Sequence, residues 1–236
     1  MNNYTLADLA LFGVVWELQE PVASEIAEHK SAISNHQSER NIVIPTANLL
    51  SHAESAAAAA KDFNELCIAV GNFPHPLKSF ARTISPRIPS PEPRIIIITD
   101  SPSSDDDASG NILSGAAGEM LDKMLSAIGV ARDDVAIIPL VFWRPPGGRT
   151  ITEEEYSLCR PFFERAIELM IEDCGLRIVL CLGSGVEKQL NQFSILNPQS
   201  SIFTIPHPNY LILKPDAKKD AWTVLQEIQK VISDSD

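Results

Sequence analysis

A histidine held between two prolines, Pro206-His207-Pro208, is one of the few residues in this 236-residue chain placed for chemistry. An imidazole there can hydrogen-bond an oxyanion as it develops; it also reads simply as a turn histidine closing a strand. The run Trp143-Arg-Pro-Pro-Gly-Gly-Arg149 sets two cations, Arg144 and Arg149, around a proline turn of a common structural kind. Asp105-Asp-Asp107 reads as a solvated loop or a weak cation site. Cys67, Cys159, Cys174 and Cys181 are widely spaced with no CxxC pair, which suits reduced thiols in a cytoplasm better than a disulfide framework or a zinc site.

The formal charge of −12 bears on partners. Proteins that grip phosphates usually carry a basic surface, so this chain repels DNA at long range and could engage it only through local basic clusters. The start of the chain has an apolar run, Leu9 to Val15, without a basic flank or a small-residue cleavage site, which argues against a signal peptide. No stretch reaches the length of a membrane span. The expectation is a cytoplasmic protein of one substantial core with an appendage.

Positioning those residues requires rigid elements. Leu6, Leu9, Leu11, Val14, Val15 and Leu18 have helical spacing over Thr5–Gln19, and the polar stretch 21–48 reads as a linker. An alanine-rich helix is expected from Ser51 to Val70. Six prolines between Pro74 and Pro93 rule out regular helix and predict an extended surface connection. The β-branched run from Arg94 to Thr99 marks a strand buried on both faces. Strands at Val135–Val141, Arg177–Leu182 and Ser201–Ile205 alternate with helices at Gly115–Ile128, Thr152–Cys174 and Pro215–Ile232, the second opened by a Thr152/Glu155 capping box. This alternation predicts a three-layer α/β/α fold around a four-stranded parallel sheet. In such sheets ligands bind beyond the carboxyl ends of the strands, here after Thr99, Val141, Gly183 and Ile205.

Those post-strand segments resemble the uracil-DNA glycosylase superfamily, closest to the bacterial family 4. The likeness is carried by Trp143–Arg149, by Cys159-Arg-Pro-Phe162, by Pro206-His-Pro-Asn-Tyr-Leu211 with Lys214-Pro215 and Lys219-Asp-Ala-Trp222, and by the 17-residue segment Thr99–Gly115. It covers Ile95 to Leu225 well and implies residues 63–236 as a glycosylase-like domain behind a helical extension and linker, residues 1–62. Such enzymes flip a damaged base out of DNA and hydrolyse its glycosidic bond. By resemblance His207 stabilises the departing base and Asp100, where the family has glutamate, manages the attacking water. Ser101, Pro102, Leu113, Pro139 and Asn209 would line the base pocket, and Arg144, Arg149 and Lys214 would contact DNA.

Several of these positions depart from the family. Asp100 is one methylene short, the loop Ser101-Pro102-Ser103 lacks the family's closing glycine, and Asn209 stands where serine or alanine is usual. Leu113 replaces the aromatic residue that stacks on uracil. Pro139 replaces the asparagine that reads the uracil edge, and no Asn lies between Asn111 and Asn191 to take its place. Family 4 members hold an iron–sulfur cluster through four cysteines, of which only Cys159 matches. Trp143 precedes Arg144, and Phe73–Leu77 offers only His75. Four thiolates being the usual requirement, no cluster or other metal is expected, with Trp143 filling the space. Two functions follow: a monomeric DNA N-glycosylase of altered or weak base choice, acting on DNA that contains a damaged base, or a catalytically degenerate relative that binds nucleic acid or a protein partner. A plain nucleotide-binding module is disfavoured by the missing Gly-rich phosphate loop.

Overall fold

Four parallel strands lie in the order β2-β1-β3-β4: β1 (Ile95–Thr99), β2 (Val135–Pro139), β3 (Ile178–Leu182) and β4 (Ser201–Ile205). The structure, a computed structural model, describes residues 46–90, 92–174, 178–191 and 201–234. The helix expected over Thr5–Gln19, the linker up to residue 45 and the first residue of the expected third strand lie outside them. Every residue of β1, β2 and β3 is buried, as β-branched runs require when both faces are covered.

The strand period of two divides the core. Ile96, Ile98, Ala136, Ile138, Val179 and Cys181 face one apolar cluster with α1 (Thr46–Ala59), α2 (Phe63–Asn72), α5 (Glu153–Cys174) and α6 (Ser184–Leu190). Ile95, Ile97, Val135, Ile137, Ile178 and Leu180 face the other, with α4 (Gly115–Ala127), α7 (Pro208–Leu213) and α8 (Lys218–Ser233). A short helix, α3 (Ser104–Ser109), crosses the loop after β1. This is the three-layer α/β/α arrangement.

Several expectations are corrected. The single helix expected over Ser51–Val70 is two, because Asp62 caps a new start: its carboxylate accepts from the Glu65 amide at 2.8 Å, and Glu65 accepts from the Lys61 amide at 2.8 Å. Ala53 and Ala57 of α1 are buried in the first cluster. The second strand ends at Pro139 rather than Val141, although the Leu140 and Val141 amides still donate to the carbonyls of Thr99 (2.9 Å) and Asp100 (3.1 Å). The proline-rich stretch is extended apart from one 3-10 turn, Pro76–Ser79. It runs along the outer side of β2, where Arg87 and Ile137 exchange two backbone bonds of 2.8 Å.

That outer pairing explains how a proline sits in β2. The Ile137 N–H points away from β1, and two residues on the Pro139 nitrogen points the same way. No bond to β1 is lost, which is why an edge strand accepts proline where a central one does not.

Candidate active site

Leaving β1, the chain goes to β2 on one side and returns to β3 on the other, so the carboxyl ends of β1 and β3 form the topological switch where α/β sheets bind ligands. Asp100 follows β1 directly, Gly183 follows β3, and His207 lies two residues beyond β4. The Gly183 amide donates to the Ile205 carbonyl at 2.8 Å, tying the β3 and β4 ends together.

His207 is half-buried and N-caps α7, with Pro208 in the first turn. Its Nδ1 accepts the Asn209 amide at 3.2 Å, so in the neutral ring the proton sits on Nε2. Burial pushes its pKa below the ordinary histidine value, while the carboxylates of Asp106 and Asp100 pull it the other way. The group that results at neutral pH is an uncharged imidazole whose Nε2–H is a donor. Asp100 is exposed, and its Oδ1 accepts from the hydroxyl of Tyr156 in the first turn of α5. Burial, reinforced by the Asp100 carboxylate, raises Tyr156 well above the ordinary tyrosine value, so its hydroxyl stays protonated.

The loop between Asp100 and α4 is organised by Asp106, which is only 3% exposed. Its Oδ2 accepts from the Ser103 amide (2.8 Å), and its Oδ1 from the Ser114 amide (2.6 Å) and hydroxyl (2.8 Å). The Asp107 carboxylate accepts from the Arg82 amide at 2.7 Å. The run Asp105–Asp107 forms the capped first turn of α3, with Asp105 exposed. Among the described residues, no group of three or more His, Cys, Asp or Glu side chains could hold a metal.

Of the expected pocket residues, Ser101 is half-buried, Pro102 and Pro139 are buried, and Asn209 is exposed. Leu113 is 2% exposed and packs in the cluster beneath α4. Its backbone lies at φ 51°, a left-handed conformation costing a leucine roughly 1–2 kcal/mol. Two neighbours hold it there. Arg132 donates to the Leu113 carbonyl at 2.6 Å, and Gly118 leaves that carbonyl room that a Cβ, 2.2 Å away, would take.

The expected DNA contacts separate. Arg149 grips Glu155 with two nitrogens, at 2.8 and 2.5 Å. Glu155 also closes the Thr152 capping box, accepting the Thr152 amide at 2.9 Å. Arg149 holds the Glu155 carboxyl down at about 2. Arg144 is half-buried in the same loop, and Lys214 is exposed at the end of α7.

The positions that align with the family's cluster ligands form a dry region. His75 is 3% exposed and stacks on Trp143, ring centroids 4.6 Å apart and planes 7° from parallel. Its Nδ1 accepts the Leu77 amide at 3.1 Å, so Nε2 carries the proton toward the Glu155 carbonyl (3.3 Å) and Cys159 Sγ (3.6 Å). Trp143 Nε1 donates to Thr83 at 2.8 Å, and burial pushes the Cys159 thiol up to about 12. One protonated thiol, an imidazole already bonded at both nitrogens and an indole do not fit an iron–sulfur cluster.

Sequence reasoning missed Tyr156 and Asp106. The available signal for Tyr156 was its place, one residue after the capping Glu155, at the start of a helix aimed at the crevice. For Asp106 it was the Ser103-x-x-Asp106 spacing of a capping box.

Residues 86–228 match the family model of the uracil DNA glycosylase superfamily. The chain is 30% identical over 153 residues to the type-4 uracil-DNA glycosylase of Thermotoga maritima, spanning 59% of this chain and 77% of that protein. It is 33% identical over 98 residues to the Archaeoglobus fulgidus type-4 uracil-DNA glycosylase, 42% of this chain and 47% of that one. The chain thus spans about half the length of the Archaeoglobus relative. The crystal structure of wild-type Pedobacter heparinus SMUG2 is similar with a TM-score of 0.42 and 17% identity, over 60% of this chain and 74% of that chain.

Proposed function

The chain belongs to the uracil-DNA glycosylase superfamily, and from that premise we propose that it hydrolyses the N-glycosidic bond of a damaged base flipped out of DNA. The observation that carries this reading is His207, whose Nδ1 is taken by the Asn209 amide so that Nε2–H is left as a donor. In the reaction the glycosidic bond breaks toward the base, leaving negative charge on the base and positive charge on the sugar. His207 Nε2–H hydrogen-bonds the departing base, and being neutral it does so without being a strong acid. Asp100 opposes the sugar's charge and holds the attacking water through Oδ2, Oδ1 being occupied. Arg144 and Lys214 meet phosphates, while Arg149 braces the loop.

The base choice differs from strict uracil selection. Pro139 has neither a side-chain amide nor an N–H to read a base edge, and Leu113 is packed into the core rather than presented as a stacking face. Pockets that discriminate by roughly 10⁴–10⁵ rely on such donors. Weak or relaxed excision is the expected behaviour, by a monomer in a compartment that keeps Cys67, Cys159 and Cys181, all unbridged, reduced. Among the described residues no helix is long and apolar enough to cross a membrane.

No iron–sulfur cluster takes part, because the ligand positions are occupied by His75 and Trp143. Protein purified without oxygen is expected to lack stoichiometric iron; about four irons per chain would overturn this.

The deciding experiment incubates the protein with duplexes bearing uracil, hypoxanthine or xanthine and measures abasic sites. Release from at least one is expected, and His207→Ala should slow it about 100- to 1000-fold, the usual cost of one oxyanion donor. The net charge of −12 and the proline at position 139 favour a second reading, a catalytically degenerate relative that binds a protein partner or nucleic acid. Binding with no abasic sites from any substrate would select it.

A further inference from the structure

We propose that Tyr156 is the positioning residue for Asp100, holding its carboxylate in the crevice by donating a hydrogen bond across from α5 to the end of β1. The inference rests on the glycosylase reading above and adds to it a group that lies outside every motif of the crevice.

Asp100 needs such a partner. It is exposed at the end of a buried strand, and among the described residues the hydrogen-bond partner of its carboxylate is Tyr156. An exposed aspartate samples several rotamers, whereas misplacement of a reacting group by about 1 Å can cost on the order of 100-fold in rate. Tyr156 supplies what is lacking. Its backbone is fixed in the first turn of α5, since the Tyr156 amide donates to the Thr152 carbonyl at 3.0 Å and the neighbouring Glu155 closes the capping box. Its ring is half-buried against the first core cluster. The elevated hydroxyl stays protonated at any working pH, so it can only donate to the carboxylate and never repels it.

The arrangement assigns the two oxygens of Asp100 different tasks. Oδ1 is held by Tyr156 on α5, Oδ2 is the oxygen left for the water, and His207 lies near enough to feel the Asp100 charge. A rigid helix thereby compensates for a carboxylate on a short side chain.

The test is a double-mutant cycle read by single-turnover base release from whichever duplex the protein cleaves, together with KM and DNA affinity. Tyr156→Phe keeps the ring and removes only the hydroxyl. It is expected to lower the rate of the chemical step about tenfold with KM and DNA affinity unchanged. In an Asp100→Ala background the same change should alter the rate by less than about twofold, because a group acting through Asp100 has nothing left to position. An equal fall in both backgrounds would show a general structural role and overturn the proposal, as would no fall in the native background. Absence of base release from any duplex by the native protein would instead overturn the glycosylase reading, and this inference with it.

Discussion

Two polar regions of this protein treat their hydrogen-bonding capacity in opposite ways. Around His75, Trp143 and Cys159, both imidazole nitrogens, the indole N–H and the thiol all have partners inside the protein, and the rings are sealed from water. At the carboxyl ends of β1 and β4, one Asp100 oxygen and the His207 Nε2–H have no partner among the described residues, and both side chains stand partly in solvent. A buried polar group stabilises only when its partners are internal, whereas a group that must meet a substrate has to keep part of its capacity unspent. The difference separates what holds this fold together from what it offers to a ligand.

The sharpest way to break the comparison is to empty the dry region. Trp143→Ala removes the ring on which His75 stacks and is expected to cost about 3–5 kcal/mol, read from the urea midpoint, while leaving the His207 imidazole titration unchanged. A loss below about 1 kcal/mol would mean that the aromatic packing contributes little. Asp106→Ala tests the loop beside the open region. It strands the amides of Ser103 and Ser114, and about 2–3 kcal/mol is expected; crevice integrity should fall with it, seen as faster amide exchange over residues 101–115.

The third test uses acid. Glu155 is held at about 2 from an ordinary value of 4.5, mainly by Arg149. Because the folded value is depressed, the stabilisation is fully present above about pH 4.5 and disappears as pH falls through about 2. The stability gap between native protein and Arg149→Met should therefore close over that window. A gap that persists below pH 2 would place the effect of Arg149 elsewhere. In the same variant, the salt dependence of DNA binding should be unchanged, whereas Arg144→Ala should reduce the slope by about one.

The smallest effect concerns the histidines. Burial lowers both His75 and His207, so each favours the fold fully above the unfolded value of about 6.5, and that contribution is lost as pH falls through the folded value. Ring-proton titration by NMR should place both below 6.5. Asp100→Asn should lower His207 further, since it removes a charge that favours the imidazolium, and leave His75 alone. Movement of both together would deny that the two regions are separate.

What was legible in the sequence was local. The isoleucines of β1 announce a strand covered on both faces, and Thr152 with Glu155 announces the start of α5, because strand burial and helix capping depend on residues a few positions apart. The placement of Asp100 and His207 at strand ends followed from alternation of elements. Asp62 ended one helix and began another, against the alanine propensity that favoured continuity, and this was readable only as a cap. Tyr156 and Asp100 are 56 residues apart and meet because α5 packs on the sheet, which no local pattern encodes. The pairing of Arg149 with Glu155 was not legible because the partner lies six residues on, across a loop whose turn depends on glycine geometry at Gly147. The left-handed backbone of Leu113 was not legible because it is held by Arg132 and Gly118, 19 and 5 residues on.

The stretch that binds the outer side of β2 also acts as a selvage on the sheet. A bare edge strand invites the same strand of another molecule to extend the ladder, the first step toward aggregation. Here Arg87 occupies the outward N–H and C=O of Ile137, Ile84 takes the carbonyl of Phe142, and Pro139 presents no N–H at all. A protease nick between residues 80 and 92 would leave the crevice residues in place and yet unravel that hem, so loss of solubility would precede loss of the fold.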